Sequence, residues 1–131
     1  MKKIFAIIIA AALVFCFCGC GIPFTAEKII DDSDIYSKRD IEKAMNKVYS
    51  QFALFEGCAL LELEYDEEYS KERMCDWAEN YGAEEAIVLL SKFFVSKETE
   101  GALEKGEIAK WSWIFIRNKG GSWEFRDCGY P

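Results

Sequence analysis

Apolar residues recur at helical spacing in two stretches of the chain. In the first, between Ile41 and Phe55, they fall every three to four residues, which is the pattern of a helix that buries one face. Ser37 and Asp40 have the spacing of a reciprocal N-terminal cap, and Gly57 lies where such a helix should end. We therefore expect an amphipathic helix of about four to five turns after Ser37.

The second stretch, from Glu67 to Tyr81, predicts another helix, which ends at Gly82. Glu67 and Glu68 lie in its first turn, where negative charge interacts favourably with the helix dipole. The apolar stripe of this helix consists of Met74, Trp77, Ala78 and Tyr81.

Four other segments have the alternating or continuous apolar pattern of strands. They are residues 58–65, 86–95, 108–117 and 123–130, and a glycine turn, Asn118-Lys119-Gly120-Gly121, joins the last two. The predicted order of elements is α-β-α-β-β-β. This order predicts one α+β domain, residues 36–131, with a mostly antiparallel four-stranded sheet.

Two parts of the chain resemble NTF2-like domains, namely the opening amphipathic helix and the closing aromatic hairpin, WSWIFIRNKGGSWEFRDCGY. The resemblance implies a cone in which both helices pack on a curved sheet. In related folds such a cone encloses a cavity that binds small apolar ligands. The alternative fold is a cystatin-like sheet wrapped on one helix.

From Tyr36 to Tyr130 the chain is also similar to a family of small bacterial lipoproteins that is known as a domain of unknown function. The similarity lies in the hairpin and in two further segments, FEGCALLELEYDEE and WAENYGAEEAIVLLSKF. It implies an NTF2-like domain in a lipoprotein, and it transfers no activity and no catalytic residue.

The N-terminus has the pattern of a signal peptide, in which Lys2 and Lys3 precede an apolar run over residues 4–17. Gly19 is the small residue that signal peptidases need before the cut, and the segment up to Cys20 resembles the bacterial lipobox, with Phe17 in place of the usual Leu. We expect a signal peptide over residues 1–19 and lipidation of Cys20. A tether over residues 20–35 would then hold the domain at the outer side of the cytoplasmic membrane, in the cell envelope.

Two alternatives to the lipid anchor stay open. Residues 4–26 form an uncharged run of 23 residues, long enough for a transmembrane helix, although Gly19, Gly21 and Pro23 oppose a helix at its far end. A plain secretory signal peptide is the other alternative, but it does not explain a cysteine directly after Gly19.

Charge and composition restrict the partners. Without residues 1–19 the chain has 14 basic and 23 acidic residues, a net charge of −9. Such a surface repels phosphates, so we expect no nucleic-acid partner and membrane attachment through the lipid on Cys20.

Histidine is absent from the chain, which removes the commonest general acid–base and metal ligand. The remaining cysteines are Cys58, Cys75 and Cys128, without a CxxC spacing. We expect them to fill small apolar sites of the core, and we expect no metal and no cofactor. An exported location would permit one disulfide among the three.

A set of aromatic side chains is the best candidate for a ligand pocket, although rings at these positions more often fill a core than line a cavity. The set comprises Tyr49, Phe52, Trp77, Tyr81, Trp111, Trp113 and Trp123. The leading hypothesis is a non-catalytic module that binds a small ligand or another envelope protein.

The alternative hypothesis is a small cavity enzyme of the isomerase or hydrolase type. Asp76, Asp127, Tyr49 and Tyr81 are the acid–base groups available to it, and no spacing singles out any of them as catalytic.

The sequence also predicts two surface features, an acidic segment and an apolar patch. The acidic residues from Glu62 to Glu72 have the pattern of a solvated face and lack the spacing of a calcium loop. Ile114 and Ile116 lie on the outer face of their strand, and an exposed apolar patch there would make a homodimer through the sheet.

Overall fold

The computed structural model describes residues 26–96 and 103–131. The predicted signal peptide, Cys20 and the first part of the predicted tether lie outside the described residues. Within the described ranges, none of the helices has the length and apolar character needed to cross a membrane.

The described chain contains two helices and five strands. In order they are β1 (Glu27–Ile30), α1 (Lys38–Phe52), β2 (Cys58–Tyr65), α2 (Glu67–Asn80), β3 (Glu85–Val95), β4 (Ile108–Arg117) and β5 (Glu124–Gly129). The strands form one sheet in the order of the sequence, in which β1 is parallel to β2 and every other neighbouring pair is antiparallel. The prediction of an α+β fold with a mostly antiparallel sheet is therefore confirmed.

The predicted number of four strands is wrong, because β1 adds a fifth strand inside the segment that we expected to be a tether. This strand pairs with β2 from Glu27 opposite Glu62 to Ile30 opposite Tyr65. Its four residues are too short to show a period, and three of them are exposed. The pairing to β2 is therefore what makes this segment a strand.

The first helix begins at the predicted cap, where the backbone N–H of Asp40 donates to Ser37 Oγ over 3.1 Å. The carboxylate of Asp40, which we expected to complete the reciprocal cap, accepts a hydrogen bond from Arg117 instead. The buried face of α1 consists of Ile41, Ala44, Met45, Val48 and Phe52.

This face of α1 packs on one face of the sheet and forms the main core with it. Alternate residues of β3 and β4 meet it, among them Leu89, Phe93, Trp113 and Phe115, all of which are fully buried. Every helix residue that is buried in this core belongs to α1.

The second helix covers the opposite face of the sheet. Ala78 of α2 packs against Ala86 and Ile116, which are cross-strand partners. Their neighbours along each strand point toward α1, so Ala86 and Ile116 point toward the opposite face of the sheet. The expectation that Ile114 and Ile116 are exposed is therefore wrong, since they are 3% and 5% exposed. The proposed homodimer loses the patch that motivated it, because a helix of the same chain covers that face.

Candidate functional site

Several of the aromatic pocket candidates pack against one another in the main core. Phe55 brings them together, with its ring centroid 5.5 Å from Phe52, 5.2 Å from Trp111 and 5.6 Å from Trp113. Trp113 has no exposed surface, and its indole N–H donates to Ser91 Oγ over 2.7 Å. These rings are in contact with each other, as expected of side chains that fill a core.

Other members of the candidate set lie outside this group of rings around Phe55. Trp77 and Tyr81 stack on each other at the end of α2, 5.8 Å apart, and Tyr81 is 38% exposed. Tyr49 is half-buried on α1, with the ammonium of Lys28 5.8 Å from its ring. Trp123 is buried in the main core, with its ring centroid 5.3 Å from that of Tyr36, and it borders a surface cleft.

This cleft has a volume of about 480 Å³ and lies between α1 and the β4–β5 turn. We call it the hairpin cleft. Its lining consists of Asp40, Lys43, Asn46 and Lys47 from α1, and Arg117, Gly120, Gly121, Ser122 and Trp123 from the hairpin.

The turn at the rim of the cleft has the predicted glycine geometry. The N–H of Gly121 donates to the carbonyl of Asn118 over 2.7 Å, and Gly120 adopts a φ of 81°. A side chain at Gly121 would place its Cβ 3.0 Å from that same carbonyl oxygen. The two glycines therefore allow the tight turn that forms this wall of the cleft.

Arg117 holds the floor of the cleft together. Its Nη2 donates to Asp40 Oδ2 over 3.1 Å and to Glu85 Oε2 over 3.3 Å, and its guanidinium carbon lies 4.0 Å from the centroid of the Trp123 ring. The hydrogen bond from Arg117 holds the pKa of the Asp40 carboxyl below its ordinary value. The charge of Arg117 is therefore already balanced by two carboxylates.

Trp123 ties the hairpin to α1 by two further hydrogen bonds. Its indole Nε1 donates to the backbone carbonyl of Asp40 over 3.1 Å, and its own carbonyl accepts from the ammonium of Lys47. The position of Lys47 is therefore fixed by the fold, while its charge is not cancelled by a carboxylate.

Two lysines supply the available positive charge of the cleft. Lys43 and Lys47 are one turn apart on α1, are exposed, and form no ion pair within 4 Å among the described residues. Asn46 lies between them, and its side-chain oxygen accepts a hydrogen bond from Lys28 over 3.2 Å. The side-chain nitrogen of Asn46 is a further donor at the cleft.

Of the residues that line this cleft, Trp123 was predicted from the sequence as a pocket residue, whereas the two lysines and Arg117 were not. The signal that could have found them is local charge. The chain is acidic, but α1 has four basic residues against two acidic ones, whereas α2 has two basic residues against five acidic ones.

The acidic residues from Glu62 to Glu72 have structural contacts. Asp66 caps α2 by accepting from the N–H of Tyr69 over 3.0 Å, Glu62 lies 3.7 Å from Lys92, and Glu67 accepts from the hydroxyl of Tyr65. In the described ranges, no three His, Cys, Asp or Glu side chains are grouped so that they could hold a metal ion.

The three cysteines carry free thiols, and they do not share one environment. Cys58 and Cys128 are half-buried against the main core, and burial raises the pKa of both thiols. Cys75 is exposed on α2, so the expectation that it fills an apolar site of the core is wrong. The apolar pattern in the sequence of α2 did not indicate that only one narrow side of this helix is buried against the sheet.

The residues that we considered for acid–base chemistry are not brought together in an enclosed cavity. Asp76 is exposed on α2 and Asp127 is exposed on β5, while Tyr49 lies on α1 on the other face of the sheet from α2.

Comparisons of the chain with protein-family models, with curated proteins and with solved structures gave no match.

Proposed function

We propose that the protein is an exported lipoprotein, anchored through a lipid on Cys20, whose domain is a non-catalytic binding module. The hairpin cleft is its ligand site. The observation that carries the binding role is the composition of this cleft, which combines two lysines that form no ion pair among the described residues with a carboxylate that is already bound to an arginine.

The anchor is supported by the sequence pattern of residues 1–20. The short length of chain between Cys20 and the described domain also fits an anchor at this position. Cys20 and Ala26, the first described residue, are six positions apart, and six positions span no more than about 20 Å even when the chain is fully extended. A lipid on Cys20 would therefore keep the domain close to the membrane surface.

Binding is favoured over catalysis by the lowered pKa of Asp40, the carboxyl group that lines the cleft. A general acid or base works best with a pKa near the operating pH. The hydrogen bond from Arg117 lowers the pKa of Asp40, and thus moves it away from that range. An exposed cleft with two lysines suits the recognition of a ligand by its charge.

For the fold we propose a sheet of the NTF2-like or cystatin-like class. The register shifts at Leu61 in β2 and at Arg126 in β5 favour a curved sheet, which both classes share. The packing of α1 by itself on the core face favours the cystatin-like arrangement, whereas two helices on that face would favour the cone.

The anchor is tested by replacing Cys20 with Ser in the full chain and following the incorporation of a labelled fatty acid. We expect Cys20→Ser to abolish incorporation and to release the protein from the membrane fraction. Cys18→Ser is the matched control, because it changes the neighbouring cysteine and should leave both measurements unchanged. Continued labelling of the Cys20→Ser protein would refute the anchor.

The non-catalytic role is tested with the lipidated protein in detergent against panels of ester, phosphoester and ketosteroid substrates. We expect no turnover above that of a heat-denatured sample. Reproducible turnover that the change Asp40→Asn abolishes would replace this proposal by the cavity-enzyme alternative.

A further inference from the structure

The hairpin cleft has a charge opposite to that of the domain around it. The mature chain has a net charge of −9, yet Lys43 and Lys47 meet at the cleft from neighbouring turns of one helix. Like charges four residues apart destabilise a helix. Their position beside a cleft, where neither forms an ion pair within 4 Å among the described residues and the nearby Asp40 is bound by Arg117, is the arrangement expected of a site for an anion.

The donors that remain free at the cleft distinguish between classes of anion. A carboxylate is best bound by the planar fork of an arginine, but the Arg117 side chain is only 11% exposed, its Nη2 is shared by Asp40 and Glu85, and its Nε is buried. The cleft is left with ammonium groups, which bind phosphate as point charges, and with the amide of Asn46. From this arrangement we infer that the hairpin cleft binds an anion of the phosphate class through Lys43 and Lys47.

The fold holds the ammonium of Lys47 in place before any ligand arrives. The ammonium of Lys47 uses one of its three donors on the carbonyl of Trp123, which leaves two for a ligand. Trp123 is itself fixed by its bond to the carbonyl of Asp40 and by the guanidinium of Arg117 over its ring. Because these contacts already exist, little ordering of Lys47 is needed when an anion binds.

Phosphate groups can reach the cleft from two sources, free in solution or on lipid head groups. Lipid head groups are within reach because the anchor holds the domain at the membrane, and this part of the inference therefore rests on the proposed function. Lys28 of β1 donates to Asn46 of the cleft, and it lies two residues from Ala26, which the anchor keeps within about 20 Å of the lipid. The acidic residues Asp31, Asp32 and Asp34 follow the other end of β1.

The test measures how fast each lysine of the full lipidated protein reacts with an amine-specific reagent, with mass spectrometry to separate the sites. The protein is placed in nanodiscs of neutral phosphatidylcholine, in nanodiscs that contain phosphatidylglycerol, and in neutral nanodiscs with added inorganic phosphate. Lys71 on α2 and Lys110 on β4 are exposed and serve as internal references.

We expect the labelling of Lys43 and Lys47 to fall relative to the references, by about tenfold when the probe is present at ten times its Kd. A fall with phosphatidylglycerol alone assigns the site to head groups, and a fall with inorganic phosphate assigns it to a free anion. Unchanged ratios in both conditions, or an equal fall with added chloride, would overturn the inference. The inorganic-phosphate condition does not depend on the anchor, so failure of the anchor and failure of the site can be told apart.

The single changes Lys43→Gln and Lys47→Gln check that the two side chains bind the anion together, with Lys71→Gln as the matched control. In each single variant, the protection of the remaining cleft lysine by the same probe should weaken, whereas the control should keep the protection of both. Both lysines are exposed, so neither change should prevent folding, and circular dichroism verifies this.

Discussion

The guanidinium of Arg117 lies 4.0 Å from the centre of the Trp123 ring, in the middle of the contacts that join α1 to the β4–β5 hairpin. The arginine also binds Asp40 of α1 and Glu85 of β3, and the side chain is only 11% exposed. A cation stacked on an indole and held by two carboxylates is a rigid unit. The residues that form the wall and floor of the hairpin cleft therefore also hold α1 against the β4–β5 hairpin.

Replacing Trp123 with Phe should destabilise the domain by about 1–3 kcal/mol, because it removes the indole N–H that donates to the carbonyl of Asp40 and removes ring volume at a site that is 1% exposed. The free energy of unfolding from urea titration is the measurement. Trp77→Phe is the matched control, since Trp77 is only half-buried, and it should cost less than about 1 kcal/mol. Equal losses in the two variants would contradict the role given to Trp123.

The link between Asp40 and Arg117 predicts how stability depends on pH. The hydrogen bond from Arg117 lowers the pKa of Asp40 in the folded state. The stabilisation is therefore present above the pKa of the unfolded chain and is lost as the pH falls through the lowered value. Between about pH 5 and about pH 3, the free energy of unfolding should fall more steeply for the wild type than for Asp40→Asn.

Glu124→Gln provides the control for this pH dependence. Glu124 also forms an ion pair, with Arg126 at 3.0 Å, but its side chain is 63% exposed. An exposed pair contributes little, so this variant should keep the slope of the wild type. The link would be disproved by an Asp40→Asn protein whose stability follows pH as steeply as that of the wild type.

The elements with strong local patterns were predictable from the sequence. The Ser37 cap, the bounds of β2 and β4 and the turn at Gly120 follow from side-chain period, from a capping hydroxyl and from the need for a positive φ. Each of these signals lies within one segment of the chain, where neighbouring residues determine the outcome.

Features that depend on distant contacts were not predictable. The strand β1 exists through its pairing with β2, and the side of the sheet that α2 covers depends on the path of the chain after Tyr65. The hairpin cleft joins Lys47 to Trp123 across 76 positions of the sequence. An exposed lysine on a helix has the same sequence pattern whether it faces solvent or a cleft.

Ser91→Ala should cost about 1–3 kcal/mol, although it removes only one oxygen atom. Ser91 Oγ is buried, accepts from the indole N–H of Trp113 over 2.7 Å and lies 3.3 Å from the carbonyl of Trp111. The change leaves the fully buried Trp113 N–H without a partner, and urea titration measures the loss.

Ser112→Ala is the matched control for Ser91→Ala, because Ser112 is also buried but makes a longer contact, 3.4 Å to the carbonyl of Gly129. This variant should lose less than about 1 kcal/mol. A loss in Ser112→Ala as large as that in Ser91→Ala would mean that burial of any serine in this sheet, rather than the bond to Trp113, determines the cost.

The three thiols should react at different rates in the folded lipidated protein. Cys75 is exposed, whereas Cys58 and Cys128 are half-buried and burial raises their pKa, which reduces the thiolate that attacks an alkylating reagent. We expect iodoacetamide at neutral pH to modify Cys75 about tenfold faster than the other two, as followed by mass spectrometry. In urea the three rates should converge, because unfolding removes the difference in burial. A disulfide between any two of the three, or equal rates in the folded protein, would contradict the environments that the structure gives these cysteines.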